Sequence, residues 1–309
     1  MTNDAIDAHT GSAVVFGGTG FMGRTICTAL TARGYDVLAV ARKPAEPTPG
    51  ARFLALDVTS ATVGDIAEAV GPAGLVVNAA GDVGADDEDR MTAEHVLLVD
   101  RLVRAVSTLR RRPRLLQLGT VHEYGPVPEG TAIAEDHPTA PGGVYARTKL
   151  AGSRIVLDAT EAGRVDGCVL RLTNGCGPGA PLHGFLGRLA AQLRATGEDT
   201  PLDLTVVDDR RDFVDVRDIA EAVVRAADVR ATARLINIGS GTATSMRELA
   251  GILVSVSGVP PHLVRRGQAP VHSKGGAWTQ ADIRLARRVL GWSPQVPLKQ
   301  SLHDLWAAS

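Results

Sequence analysis

Short apolar runs alternate with longer amphipathic stretches through the first half of the chain. Residues 14–16, 37–40, 52–56, 75–77, 115–118 and 168–170 each carry too few apolar positions for a helix and read as buried strands. Between them, helical periodicity runs over residues 22–32, 63–70, 93–109 and 144–162. Gly34 follows the first helix where a left-handed cap is expected. Such alternation predicts an α/β fold, a doubly wound parallel sheet covered by helices on both faces.

After Asn174 the pattern loosens, with three glycines and two prolines in residues 175–181. Beyond lie expected helices over 185–194, 218–227, 246–256, 283–290 and 302–308, and short strands over 204–207 and 213–216. Residues 235–237 are apolar enough to return to the main sheet. The expected division is a nucleotide-binding unit over 1–175, to which 212–242 returns, and a smaller mixed lobe over most of 176–309.

Composition adds exclusions. The 309 residues are 44% hydrophobic and 22% charged, with a net charge of −1, so nothing global points to nucleic acid or an acidic membrane. An anionic ligand must instead meet local cations. Cys27, Cys168 and Cys176 are odd in number and lack metal-ligand spacing, which reads as buried thiols in a reducing compartment, with no metal site. The N-terminal stretch is polar without a signal-peptide core, and no apolar run approaches a membrane span, so a cytoplasmic location is expected.

The first strand runs directly into Gly17-Gly18-Thr19-Gly20-Phe21-Met22-Gly23 and then a helix. Glycines at the first, fourth and seventh positions allow a tight turn and close approach of a pyrophosphate, which the helix N-terminus then meets with open N–H groups. Taken alone, the septet is also compatible with a plain strand–helix turn. At the end of the second strand, where a carboxylate would bind the ribose 2′-hydroxyl of NAD, stand Arg42 and Lys43, with Arg24 after the third glycine. Cations there, after such a loop, favour the 2′-phosphate of NADP(H) over the alternative of a solvated strand end.

Tyr145 and Lys149 lie four residues apart on one predicted helix face, an arrangement in which the ammonium lowers the phenol pKa for proton exchange with a carbonyl oxygen. Thr120 ends the strand before it, at the edge where ligands bind in open α/β sheets.

With the glycine loop, Asp57-Val58, Asn78-Ala79-Ala80-Gly81, Thr120 and Tyr145…Lys149, the chain resembles an extended short-chain dehydrogenase/reductase with a Rossmann-type sheet along essentially its whole length. The resemblance implies that Asp57 contacts adenine and that Asn78 to Gly81 line the cofactor. It implies that Thr120, Tyr145 and Lys149 form the catalytic triad, and that Asn174 and Arg211 bind a nucleotide-sugar diphosphate. Arg211 could also serve only in ion pairs with neighbouring aspartates. Homodimers paired through the helices over 93–109 and 144–162 are usual for the family.

Departures from the family pattern narrow the expectation. The Asp-Glu that sugar dehydratases place after the threonine is Val121-His122 here, and Glu123 is displaced by one residue. His95 stands where an asparagine often serves a proton-relay water. The segment 119–125 is similar to that of 4-ketoreductases in deoxysugar pathways, which implies NADPH-dependent reduction of a dTDP-4-keto-6-deoxyhexose. His122 is then either a substrate contact or a loop histidine bonded to backbone. A nucleotide-sugar epimerase and a non-catalytic NADPH-binding protein are the alternatives.

Overall fold

The computed structural model describes residues 11–44, 48–81, 87–229, 234–267 and 276–309. Residues 1–10, on which the signal-peptide reading rests, lie outside them. Seven parallel strands form the main sheet: β1 (Ser12–Phe16), β2 (Asp36–Ala41), β3 (Ala51–Ala55), β4 (Leu75–Asn78), β5 (Arg114–Thr120), β6 (Asp166–Leu172) and, much later, β10 (Leu235–Ile238). Their order is β10-β6-β5-β4-β1-β2-β3, so the strand order reverses beside β1. A crevice opens at the carboxyl ends of strands flanking such a switch point. β1 and β4 supply Phe16 and Asn78 to its floor, paired in register.

Helices cover both faces. α1 (Phe21–Ala32) packs against α7 (Val216–Asp228) on one side. α2 (Val63–Val70), α4 (Leu98–Thr108) and α5 (Val144–Glu161) cover the other. Gly34 has φ +85°, the left-handed conformation expected after α1. A second sheet, β11-β9-β7, joins β7 (Asn174–Cys176), β9 (Arg210–Asp215) and β11 (Ala243–Ser245). Around it α6 (Phe185–Arg194), α8 (Met246–Ser257) and α10 (Leu298–Ala308) bury a separate apolar cluster that includes Leu189, Leu249 and Leu302.

Three elements differ from the expected ones. The helix read over 93–109 begins earlier, as α3 (Glu88–Thr92), because Asp87 accepts hydrogen bonds from the Asp89 and Arg90 amides. It then passes through a π-helical turn at Ala93–Leu97 before becoming α4. The extra residue per turn directs the polar Glu94 and His95 inward, where both are buried. The strand read over 204–207 is β8 (Leu202–Leu204), and Val206 and Val207 pack into the lobe's core instead. Asn174–Cys176, in the region read as loop, pairs as a strand with β9.

Candidate active site

The glycine loop has the shape a dinucleotide requires. Gly17 sits at φ +76°, and a Cβ there would lie 2.7 Å from the Ala80 backbone. A Cβ on Gly23 would lie 2.0 Å from the Gly17 carbonyl oxygen. Val40 O accepts from the Gly17 amide at 2.8 Å, which ties the loop to β2, and Gly20 N donates to Gly17 O at 3.0 Å to close the turn. Gly20 caps α1 with no side-chain hydrogen bond, so the helix start keeps its first-turn amides, those of Phe21 and Met22 among them, for an anion. Thr19 is half-buried in the loop, and Arg24 is exposed in the first turn of α1. These features fit the pyrophosphate of a nicotinamide dinucleotide.

The other expected cofactor residues follow the carboxyl ends of β2, β3 and β4. Arg42 and Lys43 are exposed at the end of β2, and Arg42 lies 3.4 Å from the Glu94 carboxylate. Asp57 turns one carboxylate oxygen into its own loop, accepting from Thr59 N at 3.0 Å and Thr59 Oγ1 at 2.7 Å. Those bonds hold the Asp57 carboxyl below its ordinary range, and the charge of Arg42 adds to the effect. Val58 is buried beside it. Ala79 N donates to Phe16 O, and Ala80 N to Asn78 Oδ1, so β4 runs on past the glycine loop. Gly81, at φ +130°, has no room for a Cβ because the His95 ring would be 2.8 Å away.

Thr120, Tyr145 and Lys149 meet at the end of β5. Thr120 caps a 3₁₀ turn over Val121–Tyr124, and its side chain lies near enough to the Tyr145 hydroxyl to act on the phenol pKa. Lys149, one turn further along α5, donates from Nζ to Leu118 O at 2.6 Å. The expected lowering of the phenol pKa does not occur. Burial pushes Tyr145 up to about 12, the Thr120 hydrogen bond opposes this, and the Glu123 carboxylate raises it further. Lys149 is itself lowered by burial. At neutral pH the phenol keeps its proton.

Two imidazoles flank that phenol. The His95 ring meets Tyr145 edge-on at 5.5 Å and lies 2.9 Å from Thr148 Oγ1 through Nδ1. The His122 ring meets Tyr145 at 6.3 Å. Burial pushes His122 down to about 4, helped by the Arg211 charge and opposed by a hydrogen bond with Asn174. His122, Asn174 and Arg211, taken from three separate segments, therefore converge. Asn174 donates from Nδ2 to Asp212 O at 3.0 Å, and Arg211 pairs with Asp209 at 2.8 Å.

Two buried carboxylates hold this end together, and the sequence pattern assigns that role to neither. Glu123 is fully buried and accepts from Thr120 N (2.9 Å), Ser153 Oγ (2.9 Å) and Arg171 Nε (2.7 Å). The Arg171 guanidinium lies 4.3 Å over the Tyr124 ring, and Tyr124 donates to Asn237 Oδ1 at 2.8 Å. Glu123 is thus a structural anion. The Thr120…Glu123 spacing is that of a capping box, the signal that could have revealed it. Asp212, also fully buried, accepts from Ser240 N and Oγ, both at 2.7 Å, from Gly241 N (3.0 Å) and from Ala281 N (3.1 Å). The three cysteines are free and buried, and burial pushes their thiols up to about 11 or 12.

Known proteins share this architecture. The model of the NAD-dependent epimerase/dehydratase family matches residues 13–239. A dTDP-6-deoxy-L-talose 4-dehydrogenase (NAD(P)(+)) from Kitasatospora kifunensis is 41% identical over 308 residues, covering 97% of this chain and 96% of that protein. A protein of Streptomyces antibioticus, named as a probable dTDP-4,6-dihydroxy-2-methyloxan-3-one 4-ketoreductase, is 30% identical over 95% of this chain and 87% of its own length. Among solved structures, MoeE5 in complex with UDP-glucose and NAD superposes with a TM-score of 0.83 at 27% identity, covering 96% of this chain and 98% of that one.

Proposed function

The chain belongs to the NAD-dependent epimerase/dehydratase family, and we propose that it is an NADPH-dependent 4-ketoreductase of a nucleoside-diphosphate 4-keto-6-deoxyhexose, with dTDP as the nucleotide carrier. One observation carries this reading. Tyr145 is a neutral phenol beside Thr120, while the two residues after Thr120 offer no carboxylate and Glu123 is committed to Arg171. The site can deliver a proton to an oxygen, but it lacks the acid–base pair that elimination needs. The Kitasatospora relative's name specifies oxidation at C4 of a dTDP-6-deoxy sugar, and the reverse of that step is reduction of the C4 ketone.

Bound reduced nicotinamide supplies the hydride to C4. Thr120 donates a hydrogen bond to O4, and Tyr145 gives up its phenolic proton to O4 as the carbonyl electron pair arrives there. Solvent then returns a proton to Tyr145, so that ketone, NADPH and one proton give alcohol and NADP⁺. Lys149, held by Leu118 O, binds the nicotinamide ribose. Asn174 and Arg211 hold the diphosphate, which places C4 beside the hydride donor. His122, neutral at physiological pH, accepts a hydrogen bond from a sugar hydroxyl. Arg42, Lys43 and Arg24 face the 2′-phosphate, and Asp57 the adenine. The protein acts in the cytoplasm as a homodimer paired through the helices over 93–109 and 144–162, where the half-exposed Leu97, at the end of the π-helical turn, offers apolar surface to cover. Sedimentation of a monomer would remove that pairing.

The deciding assay is oxidation of NADPH in the presence of dTDP-4-keto-6-deoxyglucose, run beside NADH. Rapid oxidation with NADPH preferred is the expected result. An isomerised sugar without net oxidation would make the protein an epimerase. An untouched sugar despite tight NADPH binding would favour a non-catalytic role.

A further inference from the structure

The reading of NADPH as cofactor rests on Arg42 and Lys43, and the role inferred for Glu94 rests on that reading in turn. Arg42 does not stand at the end of β2 as an uncompensated cation. Its Nη1 lies 3.4 Å from Glu94 Oε1, and the two side chains differ sharply in exposure, 54% for Arg42 and 8% for Glu94. The same carboxylate oxygen lies 3.2 Å from Arg90 Nε, one helical turn earlier. The Arg42 charge also contributes, after the Thr59 hydrogen bonds, to holding the Asp57 carboxyl below its ordinary range. Glu94, from the π-helical turn, is therefore the carboxylate that pairs with the guanidinium. The π-helical turn matters because it rotates Glu94 off the outer face of the helix and buries it next to the crevice.

We propose that Glu94 is a specificity-determining positioning residue: it tethers Arg42 and offsets its charge, so that this site accepts NADH as well as NADPH with only a modest preference for the latter. A 2′-phosphate must either draw Arg42 away from Glu94 or bind with that carboxylate's charge nearby. A ribose 2′-hydroxyl meets neither penalty, because it carries no charge for Glu94 to repel. The effect is confined to the adenosine end, so it discriminates between the two dinucleotides without touching the Thr120–Tyr145–Lys149 chemistry.

The test compares the whole wild-type chain with Glu94→Gln by fluorescence titration of NADPH and NADH. Thermal shifts with 2′,5′-ADP and 5′-ADP, which lack nicotinamide, provide a second readout. Glu94→Gln should tighten NADPH about tenfold and leave NADH within about twofold. It should also enlarge the thermal shift given by 2′,5′-ADP alone. Parallel weakening of both dinucleotides would show a purely structural carboxylate and overturn the proposal, as would an unchanged ratio. Should Glu94→Gln fail to fold, Arg90→Met provides the second arm. It removes one cation that competes with Arg42 for Glu94, so the NADPH-to-NADH affinity ratio should fall severalfold, and an unmoved ratio in that folded variant overturns the proposal. Wild-type protein that responds to no adenine ligand would defeat the cofactor assignment itself, and the proposal with it. Normal binding with an unmoved ratio defeats only the role of Glu94.

Discussion

The two ends of the crevice are built by opposite means. At the dinucleotide end, backbone does the holding: Gly17 and Gly18 amides bond to Val40 O, Gly20 N to Gly17 O, and α1 begins with open amides. At the proposed sugar end, side chains do it, on backbone that buried carboxylates fix: Glu123 takes the Thr120 amide and Arg171, and Asp212 takes the amides of Ser240 and Ala281. The difference teaches where each end is vulnerable. The glycine loop should resist changes of side-chain chemistry around it but not an added Cβ, whereas the other end should tolerate little loss of charge or hydrogen bonding.

The sharpest separation of the two ends is Tyr145→Phe, which removes the hydroxyl proposed to protonate O4. Turnover should fall by roughly 10²–10⁴-fold, the usual worth of a general acid, while NADPH affinity measured by titration stays within about twofold. A loss of affinity as large as the loss of turnover would mean that the ends are not separable. Next comes Glu123→Gln, which leaves Arg171 buried without its countercharge. It should lower unfolding free energy by about 3–5 kcal/mol in urea melts. A destabilisation under about 1 kcal/mol, the range of a surface pair, would contradict the view that this carboxylate organises the sugar end. Gly23→Ala attacks the other end, forcing a methyl group against the Gly17 carbonyl. A cost of about 1–3 kcal/mol should come with weakened dinucleotide binding and an unaltered sugar KM. If sugar KM moves instead, the loop is not a local device.

The smallest expected effect is an absence of pH dependence. His122, held near 4 by burial, is lowered in the folded state and stays neutral above about pH 5. Substrate KM should therefore change less than about twofold between roughly pH 5.5 and 8.5. A rise in KM as pH falls through the ordinary histidine range would show that substrate meets an imidazolium there. Tyr145 sits at the opposite limit, near 12, so its acid form persists across the same interval. On the proposed mechanism the reductive rate should be flat, while oxidation of the C4 alcohol, which would need the phenolate, should gain about tenfold per pH unit.

That asymmetry also governs what could be read from the sequence. The glycine loop, the left-handed Gly34, the strands and the Tyr145…Lys149 pair are contiguous patterns, and the strands and helices of the main sheet fall close to their expected places. The π-helical turn leaves no such trace, because residues 93–109 keep a helical periodicity that absorbs one extra residue. Glu123 reads along the chain as a displaced acid, although its spacing from Thr120 marks a cap. Burial reverses the expected direction for Tyr145, since a neighbouring ammonium is visible in sequence and the exclusion of water is not. Asp212 acquires its partners from residues 28 to 69 positions away, a distance over which no local pattern operates.

Asp212 carries a consequence for building hybrids of this protein. Its carboxylate gathers amides from 240, 241 and 281, and its carbonyl accepts from Asn174. A crossover placed after residue 175 would look clean along the chain, yet it would separate Asn174 from the backbone that orients it. Exchange of sugar preference between relatives should therefore succeed only when the pieces around 174, 209–215, 239–242 and 281 travel together, as one inherited block.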